Sequence, residues 1–144
     1  MPQPVSQPDI ASLVPHAGAM VLLVQVVEFG PETIHCRATL DPSSNPLAIE
    51  GALPATALAE FGAQAMAVHG AMLAPAGTPP RSGRLVALGQ LDLAINQVDQ
   101  AMVLDVHATR LGGDSSGQMY AFKITAGTRD LARGQATVMF ADKP

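Results

Sequence analysis

From Gly51 to Pro80 the only charged side chain is Glu60. No other feature limits the fold as much. The stretch is mostly Ala and Gly, and it also holds Pro54, Gln64 and His69. A carboxylate, an amide, an imidazole and a proline together cost too much in a bilayer core, so a membrane span is rejected. A helix buried inside a domain fits instead. It is predicted over roughly Pro54 to Met72, with Pro54 suited to its first turn. Leu58, Phe61, Ala65, Val68 and Met72 recur at helical spacing and define the apolar stripe. Nearly all the other positions are small, so a sheet can close tightly around this helix.

The remaining segments alternate as strands do. Val21 to Phe29 reads as a strand by its end, and Gly30-Pro31-Glu32 as a turn. In the next segment Ile34, Cys36, Ala38 and Leu40 face one way, while Thr33, His35, Arg37 and Thr39 face the other. Asp41 to Pro46 is a loop. After the helix and an irregular loop, Pro75 to Arg84, four further strands are expected. They run Leu85–Ile95, Ala101–Leu111, Gln118–Ala126 and Gln135–Ala141, with turns at Gly112–Gly117 and Arg129–Gly134. A short helix over Asp9–Val14, capped by Asp9 or Ser6, and a turn at Pro15–Gly18 precede them all. Residues 1–144 therefore read as one α+β domain, an antiparallel sheet wrapped around one long central helix. That arrangement is the hotdog architecture. Its exposed edge strand calls for a second subunit, so a dimer or larger assembly is expected.

Composition narrows the function. The chain has 144 residues, 48% of them hydrophobic and only 3% aromatic, so its core must be aliphatic. The net charge of −4 comes with no basic stripe, which argues against nucleic acid and against a membrane surface. Cys36 is the only cysteine. That rules out an internal disulfide or a cysteine-based zinc site and suits a reducing cytoplasm. The polar, Pro-rich start does not read as a signal peptide. No histidine pair has metal-ligand spacing, and no cofactor is expected. The run Gly112-Gly113-Asp114 is a hairpin rather than a phosphate loop, and there is no Gly-x-Ser-x-Gly elbow.

Glu60 is the first candidate for chemistry. A lone carboxylate between Ala59 and Phe61 should be partly desolvated. Burial disfavours the charged carboxyl, as a general acid or base working near neutral pH requires. Gln64 lies one turn further on the same face and could bond the carboxyl or a water. A plainer reading, that both mark the wet side of the helix, stays open. The first backbone N–H groups, at Ala55 and Thr56, have no intrahelical acceptor and can polarise a carbonyl. Of the histidines, His35 and His107 lie on polar strand faces and are expected to be solvated. His69 is nine residues past Glu60, on the opposite side of the helix. His16 remains, in its turn before an apolar run, either structural or catalytic.

Two segments resemble a known family. Leu13-Val14-Pro15-His16-Ala17-Gly18-Ala19-Met20-Val21-Leu22-Leu23 is similar to the N-terminal Leu-Pro-His segment of bacterial 3-hydroxyacyl-carrier-protein dehydratases. Pro54 to Gln64 resembles their Pro-Gly-x-x-x-x-Glu/Asp-x-x-x-Gln helix. The resemblance implies that Glu60 is the catalytic carboxylate. It also implies that the Ala55 N–H takes the place of the glycine N–H that polarises the thioester; with Thr56 and Gln64, singled out above by helix geometry, it makes up the expected binding site for an acyl-carrier-protein or CoA thioester. Two departures stand out. The Gly-His-Phe-Pro loop that carries the family's base is replaced by Leu47-Ala48-Ile49-Glu50-Gly51-Ala52-Leu53, which has no histidine. The usual Asp-Arg pair is Val24-Gln25. The pattern resembles a divergent, aryl-polyene dehydratase-like subgroup, some of whose members work with a second hotdog subunit. His16 is the one substitute base available. Three functions follow as expectations: an active dehydratase using Glu60 and His16, a thioesterase, or a non-catalytic hotdog partner of another dehydratase.

Overall fold

The structure, a computed structural model, describes residues 22–73, 83–114 and 116–140. His16, the expected helix at Asp9–Val14 and the turn after it lie outside the described residues. The chain runs β1 (Leu23–Phe29), β2 (Thr33–Leu40), β3 (Leu53–Pro54), a 3₁₀ turn (Ala55–Ala57), α1 (Leu58–Leu73), β4 (Gly83–Leu93), β5 (Gln97–Val98), β6 (Met102–Gly113), β7 (Gly117–Ala126) and β8 (Arg129–Phe140). Six strands form one antiparallel sheet in the order β1-β2-β6-β7-β8-β4, and β3 pairs with β5. The expected hotdog architecture is present.

Alternation on β2 sets the two faces of the sheet. Ile34, Cys36, Ala38 and Leu40 are buried, as are Leu104, Val106 and Ala108 on β6. The helix lies on this inner face, against β1, β2, β6, β7 and β8. Leu58, Phe61, Ala65 and Val68 of its stripe are fully buried. Phe122 explains one of the small helix residues. A Cβ added at Gly62 would stand 2.9 Å from the Phe122 ring, and one at Gly134 would stand 3.1 Å from the far end of the same ring. The two glycines make the slot that the ring fills. Gly62→Ala would gain about 1 kcal/mol of helix propensity. The clash should outweigh that gain, giving a net loss of about 1–2 kcal/mol in urea unfolding. Equal or higher stability would show that the ring moves aside freely.

Three boundaries differ from expectation. The helix begins as a 3₁₀ turn, and α1 proper starts at Leu58. The segment Arg129–Gly134 is not a turn but the start of β8, with Arg129, Asp130, Ala132, Arg133 and Gly134 all paired to β7. The true turn is Gly127-Thr128, where Gly127 takes the left-handed φ of 61° that a residue with a side chain resists. The pair β3–β5 has no counterpart in the alternation of the sequence.

Strand β4 is an edge of the sheet, and its Ala87 to Gln90 are exposed. A bulge between Gly89 and Asp92 interrupts its pairing with β8. Inside that bulge Gln90 adopts φ 49°, uncommon for a residue with a Cβ.

Candidate active site

Glu60 lies in the first turn of α1, on the side left open by the stripe. Its neighbours Ala59 and Phe61 are buried, while Glu60 itself is half-buried. It has no hydrogen-bond or ion partner among the described residues. A carboxylate so placed keeps its acceptor oxygens available to an incoming group.

The other candidates are already engaged, to differing extents. The Ala55 N–H donates to the Asn96 carbonyl at 2.9 Å, which ties the helix start to the β3–β5 pair. The first-turn N–H of Thr56 has no acceptor within the helix, and Thr56 is exposed. Gln64 is fully buried, and its Oε1 accepts the backbone N–H of Leu22 at 2.9 Å. It holds the entry to β1 against the helix one turn beyond Glu60. Ala63 and Ala67 continue the half-buried small-residue side on which Glu60 stands.

The histidines are positioned for other work. His69 is fully buried on the far side of α1, as its spacing from Glu60 predicts. Its Nε2 lies 2.8 Å from the Gly30 carbonyl and its Nδ1 2.6 Å from the Tyr120 hydroxyl. A carbonyl only accepts, so Nε2 carries the proton and Nδ1 accepts from Tyr120. Burial pushes the His69 pKa down from its ordinary value, and the nearby Arg110 adds to this against the opposing effects of the Gly30 bond and Glu32. Burial likewise raises Tyr120 to about 12. The pair is a neutral structural lock.

His35 and His107 do lie on the outer face, but not as independently solvated rings. They are register partners on β2 and β6, stacked with centroids 4.1 Å apart. Asp105 accepts from His35 at 2.7 Å and from Arg37 at 3.2 Å. Burial alone would raise the Asp105 carboxyl, yet these bonds and charges together hold it below the usual range. The stack depends on a cross-strand register that alternation within either strand does not reveal. Cys36 is buried, and burial lifts its thiol to about 12, so it is no nucleophile. Among the described residues no cluster of histidines, cysteines and carboxylates could hold a metal.

A carboxylate on a small-residue helix, with its histidines elsewhere, matches the family pattern that lacks the loop histidine. The sequence profile of the family described as ApeP-like, ApeP dehydratase, matches residues 8–144. The chain belongs to this ApeP-like family. Solved structures agree on the hotdog fold. A chain of the dehydratase heterocomplex ApeI:P from Xenorhabdus doucetiae superposes with a TM-score of 0.81 at 23% identity, over 93% of this chain and 91% of that one. A thioesterase from Haemophilus influenzae superposes with a TM-score of 0.59 at 12% identity, over 82% and 78%. No curated protein sequence matches the chain. Among the described residues of this ApeP-like chain, no helix is long and apolar enough to cross a membrane.

Proposed function

We propose that this chain is a dehydratase subunit for 3-hydroxyacyl thioesters, with Glu60 as its acid–base carboxyl. The observation that carries the reading is the half-buried, unpartnered state of Glu60 among the described residues, on a helix whose open side is otherwise small. Dehydration removes a proton from C2 and expels the C3 hydroxyl as water, leaving the enoyl thioester. One group must take the first proton and one must protonate the departing oxygen. Glu60 serves one of these steps and, cycling its proton, supports the other. The Thr56 N–H is the helix-start donor available to the thioester carbonyl, since the Ala55 N–H is spent on Asn96. His16 is the second acid–base candidate of this chain. The thioester is borne by an acyl carrier protein or by CoA, in fatty-acid or polyene lipid synthesis. The reduced lone cysteine suits the cytoplasm.

A second reading has its own support. Among the described residues no histidine is placed to face Glu60: His69 is locked on the far side of the helix and His35 and His107 are on the outer sheet face. The first structural relative named above comes from a two-protein dehydratase complex. A second hotdog subunit would then complete the site and cover the β4 edge. One assay separates the readings. The purified chain, alone and with any hotdog subunit that co-purifies, is given a 3-hydroxyacyl thioester. Enoyl thioester without thiol release is the expected product. Free acid and thiol would make the chain a thioesterase. Turnover only when a histidine-bearing subunit is present would make it that subunit's partner.

A further inference from the structure

The outer face of the sheet carries a line of ionisable side chains, one on each of its six strands. Glu28 of β1 pairs in register with His35 of β2, His35 with His107 of β6, His107 with Lys123 of β7, Lys123 with Arg133 of β8, and Arg133 with Asp92 of β4. Side chains opposite one another on neighbouring strands stand about 5 Å apart at Cβ, and like charges there destabilise a sheet. Placing Lys123 opposite Arg133 breaks that rule, with the His107 ring on the other side of Lys123. Asp130 offsets the cost only loosely, at 3.5 Å from Lys123 and 3.7 Å from Arg133. Burial lowers the pKa of His107; His35 and Lys123 push it the same way, against Asp105 and Glu28.

A groove of about 400 Å³ lies over this part of the line. Its wall includes His107, Lys123, Arg133, Thr109, Gln90 and Gln135, with Asp92 at the β4 end. The small side chain of Ala121 leaves depth between them. The β4 bulge brings Gln90 to the rim at its uncommon φ of 49°. Bulges that re-aim side chains in this way recur beside binding sites. None of these six wall residues makes a side-chain hydrogen bond among the described residues. Their neighbours His35, Arg37 and Asp105 spend theirs on one another. The groove therefore offers donors free of side-chain hydrogen bonds on His107, Thr109, Gln90 and Gln135, beside two permanent positive charges that, among the described residues, only Asp130 holds, and loosely. It opens on the face of the sheet opposite α1, so it is distinct from the Glu60 site and independent of the function proposed for it.

We propose that this groove binds a small organic phosphate, with phosphoryl oxygens on His107, Lys123 and Arg133 and a ligand hydroxyl donating to Asp92. A guanidinium and an ammonium at adjacent ladder positions match the geometry of a phosphoryl group. The carboxylate at the far end disfavours a second anion but accepts a hydroxyl. The test is calorimetric titration of the full chain with inorganic phosphate and with glycerol 3-phosphate. Both should saturate one site at concentrations on the order of millimolar, with glycerol 3-phosphate the tighter. Lys123→Gln with Arg133→Gln should weaken both by at least about tenfold. Asp92→Asn should remove the preference for the ester while keeping phosphate binding. Thermal unfolding checks that each variant folds, and His107→Gln supplies an independent lesion if the double variant does not. Binding that fails to saturate, or that survives in the double variant and in His107→Gln, overturns the proposal.

Discussion

Replacing Glu60 by Gln is expected to cut turnover of a 3-hydroxyacyl thioester by about 10²- to 10⁴-fold while leaving the fold intact. Gln has nearly the same shape, so substrate still fits, but it can neither take up nor release the proton. Glu60 is half-buried and unpartnered among the described residues, so its loss breaks no internal bond. Stability should change by no more than about 0.5 kcal/mol. Activity per folded molecule is therefore the clean readout. Glu60→Asp keeps the acid but withdraws it by a methylene, and should fall between the two. A Glu60→Gln protein as active as the natural chain, alone and with any co-purifying subunit, would end the assignment of Glu60.

The second large effect is on stability, at His69. His69→Leu keeps the volume but strands the Tyr120 hydroxyl and the Gly30 carbonyl, both bonded to the ring at present. Each buried polar group left alone costs about 1–3 kcal/mol, so a loss of about 2–6 kcal/mol in urea unfolding is expected. A pH signature accompanies it. The folded-state pKa of His69 lies below its ordinary value of 6.5, so the unfolded chain takes up the proton first. The bonded, neutral ring gives its full stability above about pH 6.5, and that stability declines as pH falls below it. The limiting slope is about 1.4 kcal/mol per pH unit for one proton. His107 is shifted in the same direction, so the measurement is the difference between the natural chain and His69→Leu across pH 5 to 8. A difference that does not change with pH would show that the ring is not held neutral.

What the sequence reveals, and what it conceals, follows from the range of the forces involved. The alternation on β2 is plain because one face of that strand is wholly buried and the other is not. The helix is plain because only a buried helix needs so many small residues around one stripe. The start of β8 was hidden by composition. Arg129, Asp130, Arg133 and Gly134 look like turn residues, yet Asp130 and Arg133 lie together on the outer face and Gly134 is small because the Phe122 ring lies against it. The pair β3–β5 is two residues long, too short to show a period. At the candidate site the anomaly of Glu60 could be read directly. The engagement of the Ala55 N–H could not, since Asn96 reaches it only through a pairing between segments some forty residues apart in the chain.

Strand β4 has a practical side. Its outer edge presents main-chain donors and acceptors beside the exposed Leu88 and Leu93, and the bulge blunts only part of its length. Unclad edges of this kind recruit other strands indiscriminately. Yield and homogeneity of the overproduced chain should therefore fall unless another strand, from a second copy or from the partner subunit proposed above, covers this edge. Turbidity on storage would then report an uncovered edge rather than a poor sequence.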